Sequence, residues 1–278
     1  MTYRETYEFG VKQLQEYDCK EAALDARLLL EYICHTNRND LLAHGDREVS
    51  ETELKAYEAF IRRRALGEPL QYITGEQDFM GLTFKTHEST LIPRQDTECL
   101  VEEAMMHLHD GMRILDMCSG SGCILLSLLK YSNDCVGVGA ELQPEAVALA
   151  RENAQNLGVE ATFIESDLFG QVDGKYDLIV SNPPYIESKV IETLDREVRE
   201  HEPMSALDGG ADGLDFYRRI ADEARGYLSR GGMLFFEIGY NQAEDVSELL
   251  RLNGYIDIVV KKDLAGLDRV VYATYVED

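Results

Sequence analysis

The chain has 278 residues, 45% of them hydrophobic and 28% charged, enough to bury a sizeable core in one large domain plus a small one. Its formal net charge of -25 repels phosphate polymers and argues against a nucleic-acid groove. No segment approaches the ~18 consecutive apolar residues of a membrane span, and Met1 to Glu8 lack the basic-then-apolar order of a secretory signal, so a cytoplasmic protein without membrane association is expected.

Residues 1–75 hold 10 basic and 14 acidic residues, against 17 and 38 in the remainder, which concentrates the negative field in the later part. From Glu21 to Cys34, Leu24, Leu28 and Leu29 fall on one helical stripe. Ser50 with Glu53 makes a capping box, and Leu54, Tyr57 and Ile61 follow at helical spacing until Gly67-Glu68-Pro69 stops the helix. A small helical bundle over 1–75 is expected, with Arg62-Arg63-Arg64 as a solvated helix face. From Phe79 to Ile92, alternation broken by Gly81 suggests a hairpin, placed in a linker over 76–94.

From residue 95 to 278, short apolar runs alternate with helical patterns, the order of a doubly wound α/β sheet. Strands are expected at 113–117, 135–140, 161–165, 176–181, 232–237, 256–261 and 269–276, seven in all. Only Asp263 to Asp268 separates the last two, too short for a crossover helix, so that pair should be antiparallel. The six cysteines show no C-x-x-C pair and no zinc-site spacing, so reduced, mostly buried thiols and no metal are expected.

The chemistry gathers at the ends of these strands. Arg113 to Met117 runs into Cys118-Ser119-Gly120-Ser121-Gly122, where glycines let a ligand approach the backbone and the following helix offers free N–H groups. Cys118 suits such a turn if its φ is negative. The G-x-G-x-x-G and G-x-x-x-x-G-K-[ST] spacings are absent, and Asp116 at the strand end is a poor neighbour for a pyrophosphate. Glu141 ends the next strand about 20 residues later, a place that suits two ribose hydroxyls; it is equally a first-turn helix acid. Asp167 ends the third, where it could accept from an adenine amino group while Leu168 or Phe169 covers the ring. Three acid-bearing loops at one edge describe a nucleoside pocket without a triphosphate.

Asn182-Pro183-Pro184-Tyr185 follows the fourth strand and uses two of the six prolines. Proline fixes its own φ and extends the preceding residue, so the backbone carbonyls here are held at set angles. The plain structural alternative is a rigid turn with a packed Tyr; as chemistry, the tetrapeptide is a clamp for a flat, weakly nucleophilic NH2 group. The loop from Asp208 to Gly213 is expected to be a turn and helix cap, and 186–213 is long enough to cover a site.

Taken in order, Asp116 with Gly120 and Gly122, Glu141, Asp167 and Asn182-Pro183-Pro184-Tyr185 resemble the motifs of S-adenosylmethionine-dependent methyltransferases with a seven-stranded Rossmann-like fold. Gly67 to Gly75, Ile92 to Glu98, Gly213-Leu214 with Tyr217-Arg218, and Lys262 to Gly266 with Asp268 to Val271 are similar to the HemK/PrmC family, over nearly the whole chain. Cys118 stands where that family often has Gly, and Gln143 and Gln95 replace commoner Ser and Pro.

The resemblance implies transfer of a methyl group from S-adenosyl-L-methionine to the N5 amide nitrogen of a glutamine, in the Gly-Gly-Gln motif of class 1 peptide chain release factors, leaving S-adenosyl-L-homocysteine. It implies an N-terminal substrate-recognition domain ahead of the methyltransferase domain, a monomer, and no DNA, membrane or metal partner. Asp116, Cys118, Ser119, Gly120, Ser121, Gly122, Glu141, Asp167, Leu168 and Asn182 would bind the cofactor. Asn182, Pro183, Pro184 and Tyr185 would bind substrate and act in catalysis, Asn182 through its side-chain oxygen and Pro183 through its carbonyl. No strong general base stands at the motif. Rival readings are a glutamine methyltransferase of a ribosomal protein, an N6-adenine DNA methyltransferase, which the -25 charge disfavours, and a cofactor-binding regulator without catalysis.

Overall fold

The computed structural model describes residues 1–276. Two compact units divide it: Met1–Glu76 with Asp195–His201, and Gln77–Leu194 with the chain from Glu202 onward.

The first unit is a helical bundle, built mainly from Tyr3–Glu16, Ala22–Ile33 and Glu51–Ala65. The Ser50 box forms as expected, and Thr2 with Glu5 makes a second one at the start of the chain. Leu14, Ala26, Leu29, Leu30, Tyr57 and Ile61 are buried together. The Tyr57 hydroxyl donates to the Ala26 carbonyl at 3.0 Å, and Gly10 leaves room for that ring end, since a Cβ there would lie 1.9 Å from the Tyr57 oxygen.

Two expectations for this unit are corrected. Leu24 is 41% exposed; the buried stripe is Ala22, Asp25, Ala26, Leu29 and Leu30, turned so that Asp25 faces inward. Nor is the arginine run uniformly solvated, because Arg64 is buried. Its Nε donates to Asp25 Oδ2 at 2.7 Å and its Nη1 pairs with Glu197 at 2.7 Å. A buried acid draws a buried base inward, since an uncompensated charge there is costly.

The second unit begins with a hairpin of β1 (Glu76–Phe79) and β2 (Leu82–Lys85), earlier than the expected 79–92. Its two loop residues, Met80 and Gly81, have φ of +51° and +70°, the left-handed pair that a type I′ turn demands. The main sheet contains β3 (Arg113–Met117), β4 (Val136–Glu141), β5 (Thr162–Glu165), β6 (Tyr176–Ser181), β7 (Leu228–Glu237), β8 (Tyr255–Lys262) and β9 (Asp268–Tyr275). Their order across the sheet is β5-β4-β3-β6-β7-β9-β8. Neighbours from β5 through β7 are parallel, while β9 is antiparallel to both β7 and β8, as the short final connection requires.

β7 starts four residues earlier than expected. Gly231, at φ +78°, lies where the β6–β7 register jumps from Leu228 to Met233, so the strand continues through a bulge that interrupts its apolar run. Helices cover both faces, which explains the near-continuous hydrophobicity of the central strands. Leu115, Ile179 and Phe236 face Tyr217, Ile220 and Val246; Ile114, Leu178 and Phe235 face Leu100, Leu125 and Ala150. Strand order reverses between β3 and β6, and the crevice at such a switch point, beyond the strands' carboxyl ends, is where ligands bind in doubly wound sheets. No helix among the described residues is long and apolar enough to cross a membrane. All six cysteines are free thiols, but only Cys123 is buried and the other five are partly exposed, fewer buried than expected.

Candidate active site

The turn after β3 is wound from alternating left-handed residues: φ is +61° at Cys118, +52° at Gly120 and +79° at Gly122. Cys118 thus departs from the negative φ its residue type favours, and the turn holds a non-glycine residue in a strained region. At Gly122 a side chain has no room, since a Cβ would lie 2.8 Å from Phe163 Cζ. Asp116 sits beneath the turn and does not line the cavity above it. It is fully buried; its Oδ2 accepts from the Leu125 N–H at 3.2 Å, and its Oδ1 has no partner. Burial pushes its carboxyl up to about 8, the Leu125 N–H works against this, and the Glu141 charge adds to it.

The cavity gathers residues 117–121, 140–143 and 166–168, with Asn182 and Pro184. The ends of β3, β4, β5 and β6 therefore meet as expected. The Glu141 carboxylate braces the turn, Oε2 accepting from Gly120 N–H at 2.9 Å and Oε1 from Gln143 N–H at 3.0 Å. Each oxygen keeps a further lone pair for a ligand hydroxyl. Ser119 Oγ is buried without a partner and belongs to the lining.

Asp167 also lines the cavity, but its side chain is 65% exposed and pairs with Arg219 at 3.0 Å. Leu168 holds φ +48°, and the Ser166 hydroxyl donates to its carbonyl at 2.6 Å. Phe169, expected beside the ligand ring, is instead stacked on Tyr227 in the core with 4.6 Å between centroids. Phe216 is the aromatic residue in the wall.

At the tetrapeptide, Asn182 and Pro184 line the cavity, and Pro183 and Tyr185 do not. The Asn182 Nδ2 donates to Thr97 Oγ1 at 3.3 Å. The Tyr185 hydroxyl donates to Glu237 Oε1 at 3.4 Å, so this ring is directed away from the cavity. The loop from Asp208 to Gly213 is more than a turn and cap: a Cβ at Gly209 would lie 2.7 Å from Tyr185 Cα, and one at Gly213 2.4 Å from its carbonyl oxygen. Gln242 Nε2 donates to the carbonyls of Tyr185 (3.0 Å) and Gly213 (3.2 Å), tying the tetrapeptide to this loop.

Sequence reasoning gave no site role to Glu237, or to Ser89, Thr90, Leu91, Ser205 and Phe216 in the lining, and it marked Pro93, Arg94 and Thr97 only as part of a family-like stretch; Arg94 is salt-bridged to Glu202. Glu237 is 2% exposed, and burial pushes its carboxyl up to about 7 against the pull of the Thr97 hydroxyl and the Arg269 charge. One signal for it was present, an acid closing the apolar run Met233-Leu234-Phe235-Phe236, as Asp116 closes β3. No group of three or more His, Cys, Asp or Glu placed to hold a metal ion occurs among the described residues.

Comparison with known proteins bears on both parts of the chain. Residues 5–75 match the PrmC N-terminal domain and residues 95–199 the Methyltransferase small domain. A solved methyltransferase from Pyrococcus furiosus superposes with a TM-score of 0.55 at 18% identity, covering 71% of this chain and 90% of its own. The T. thermophilus 16S rRNA N2 G1207 methyltransferase in complex with AdoMet and guanosine gives 0.51 at 18% identity, covering 72% and 49%. These two share the fold alone. The release factor glutamine methyltransferase of Geobacter sulfurreducens is 43% identical, covering 97% of this chain and 95% of its own, and by that similarity this chain belongs to the release factor glutamine methyltransferase family.

Proposed function

We propose that this chain methylates the N5 side-chain amide nitrogen of the glutamine in the Gly-Gly-Gln motif of a class 1 peptide chain release factor, in the cytoplasm, with S-adenosyl-L-methionine as donor. The observation that carries the reading is the placement of Asn182 in the same cavity wall as the Gly-rich turn and Glu141, within a chain 43% identical to a named release factor glutamine methyltransferase.

The residues present fit the donor. An unpartnered Ser119 hydroxyl and spare lone pairs on Glu141 offer acceptors for hydroxyl and amino groups, and the Glu141 carboxylate favours a cationic ligand. When bound, S-adenosylmethionine supplies an electrophilic methyl group.

The chain's task is positioning. A glutamine amide is a poor nucleophile because its nitrogen lone pair is delocalised into the carbonyl. Asn182 Oδ1 and the Pro183 carbonyl accept the two N–H bonds and aim the nitrogen, and orientation of this kind is worth up to ~7–11 kcal/mol. Pro183 and Pro184 keep the carbonyls from drifting, while Tyr185, packed from behind by Gly209 and Gly213, supports the tetrapeptide rather than covering the substrate.

Incubation with labelled S-adenosylmethionine and a class 1 release factor tests the reading: label is expected on the Gly-Gly-Gln glutamine, and label elsewhere or none refutes it. In the same assay Asn182→Ala should lower kcat by roughly 100-fold or more while cofactor affinity stays within about tenfold. Loss of both would make Asn182 mainly a cofactor contact.

A further inference from the structure

Proline fixes φ at 183 and 184, yet ψ at each residue stays free, and ψ sets where a carbonyl points. Neither proline has an N–H by which to be anchored. A tetrapeptide that aims a carbonyl therefore has to be held at both of its ends. The sheet holds the first: Ser181 is paired with Met117 of β3 and Phe236 of β7, and its hydroxyl donates to the Met117 carbonyl at 2.7 Å.

The other end is held from outside the cavity, by a residue that does not line it. Gln242 is 6% exposed and stands just before the helix Ala243–Leu252. Its Oε1 accepts from the Gly239 N–H at 2.9 Å, and its backbone N–H donates back to the Gly239 carbonyl at 2.9 Å, so the loop closes on itself. Its Nε2 donates to the carbonyls of Tyr185 and Gly213. All three side-chain partners are main-chain groups with a single role, an N–H that only donates and carbonyls that only accept. The amide therefore has one orientation, and reversing it would set donor against donor and acceptor against acceptor.

Glycines let the main chain come this close. A Cβ at Gly213 would lie 2.7 Å from Gln242 Nε2, and one at Gly239 2.9 Å from Oε1. The Tyr185 hydroxyl donates to Glu237 Oε1, a bond that the carboxyl oxygen can accept in either protonation state. The short segment 237–242 thus grips Tyr185 at its ring and at its backbone.

We propose that Gln242 is a positioning residue that locks the far end of the tetrapeptide and thereby the direction of the Pro183 carbonyl. Its catalytic consequence rests on the glutamine-methylation reading; the clamp itself does not depend on the substrate.

Gln242→Met keeps the length of the side chain and has no donor, whereas Gln242→Glu keeps the oxygen that meets Gly239 and retains at most one donor. Each is expected to lower kcat roughly 10- to 100-fold, the order of loss that a displacement of about 1 Å carries, with affinity for S-adenosylmethionine within about threefold. Gly213→Ala, whose Cβ would press on the Tyr185 carbonyl and the Gln242 amide, should reproduce that split from the opposite side. Full kcat in Gln242→Met or Gln242→Glu, or cofactor affinity falling as far as kcat, would overturn the proposal.

A further readout needs neither variant nor substrate. In NMR spectra of the unaltered chain, with the Gln242 amide identified by its proximity to Gly213 and Gly239 protons, both Nε2 protons should exchange far more slowly than those of exposed glutamines. Rapid exchange would overturn the clamp, and this measurement decides should the variants not fold. Absence of methylation by the unaltered chain would instead fault the reaction, leaving the exchange experiment to judge Gln242.

Discussion

Single residues at this site are held in conformations that they would not choose alone. Gly122 combines φ +79° with a Phe163 ring 2.8 Å from where a Cβ would stand, so Gly122→Ala should destabilise by about 2 kcal/mol, lowering Tm by roughly 4–8 °C. A thermal melt unchanged by the substitution would show that Phe163 yields freely. Gly120 has open space around the same point, and its substitution should be milder. Asn182, Glu141 and the glycine turn were legible in the sequence because each is one short window: an apolar run, then a polar residue at its end. Thr97 and Glu237 were not, because a Thr at a helix start and a Glu at a strand end are ordinary residues until the fold brings them beside Asn182 and Tyr185 respectively. Cys118 could be placed but not its φ, which the tight turn imposes against the residue's preference.

At the scale of elements, patterning located β3 and β6 to the residue, because strands buried on both faces are uninterrupted apolar runs with sharp ends. It failed where one residue overrides the pattern. In Ala22–Ile33 the buried stripe is set by Asp25, an acid that apolar periodicity would have placed outside. Burial raises its carboxyl pKa, and Arg64 opposes that rise. Arg64→Met should therefore strand Asp25 and cost about 3–5 kcal/mol, while adding Asp25→Leu should recover most of the loss. Urea unfolding of the two variants checks this; a double variant no more stable than the single one would mean that the pair specifies the packing rather than merely balancing its own charges.

For the whole molecule, charge and burial act in the same direction with pH. Asp116 and Glu237 are pushed up to about 8 and about 7, so the native chain keeps protons that the unfolded chain has already released. The native state binding more protons, stability falls as pH rises from the ordinary carboxylate range through those values, by up to about 1.4 kcal/mol per group per pH unit. The net charge of -25 adds self-repulsion along the same direction. On the acid side, carboxylates with lowered values, such as Asp208 and Asp212, lose their contribution. Tm should therefore peak near pH ~4–5 and decline toward pH ~8, with much of the decline surviving high salt, which screens exposed charges but not buried ones. A profile flat over that interval would mean that water reaches both acids.

The assignment of Asp195–His201 to the helical unit has a consequence for how the chain can be cut. The backbone passes from one unit to the other three times, after Glu76, after Leu194 and after His201. The last two passages fall inside the segment that leaves the tetrapeptide at Tyr185 and returns to back it at Gly209. A gene fragment ending near residue 76 would keep Asp25 but omit Glu197, the second acid that meets Arg64, and one starting there would keep residues 195–201 without the helical unit they belong to. Recombination between relatives at that single point would inherit the mismatch, so exchange of the helical unit requires grafting residues 195–201 along with it.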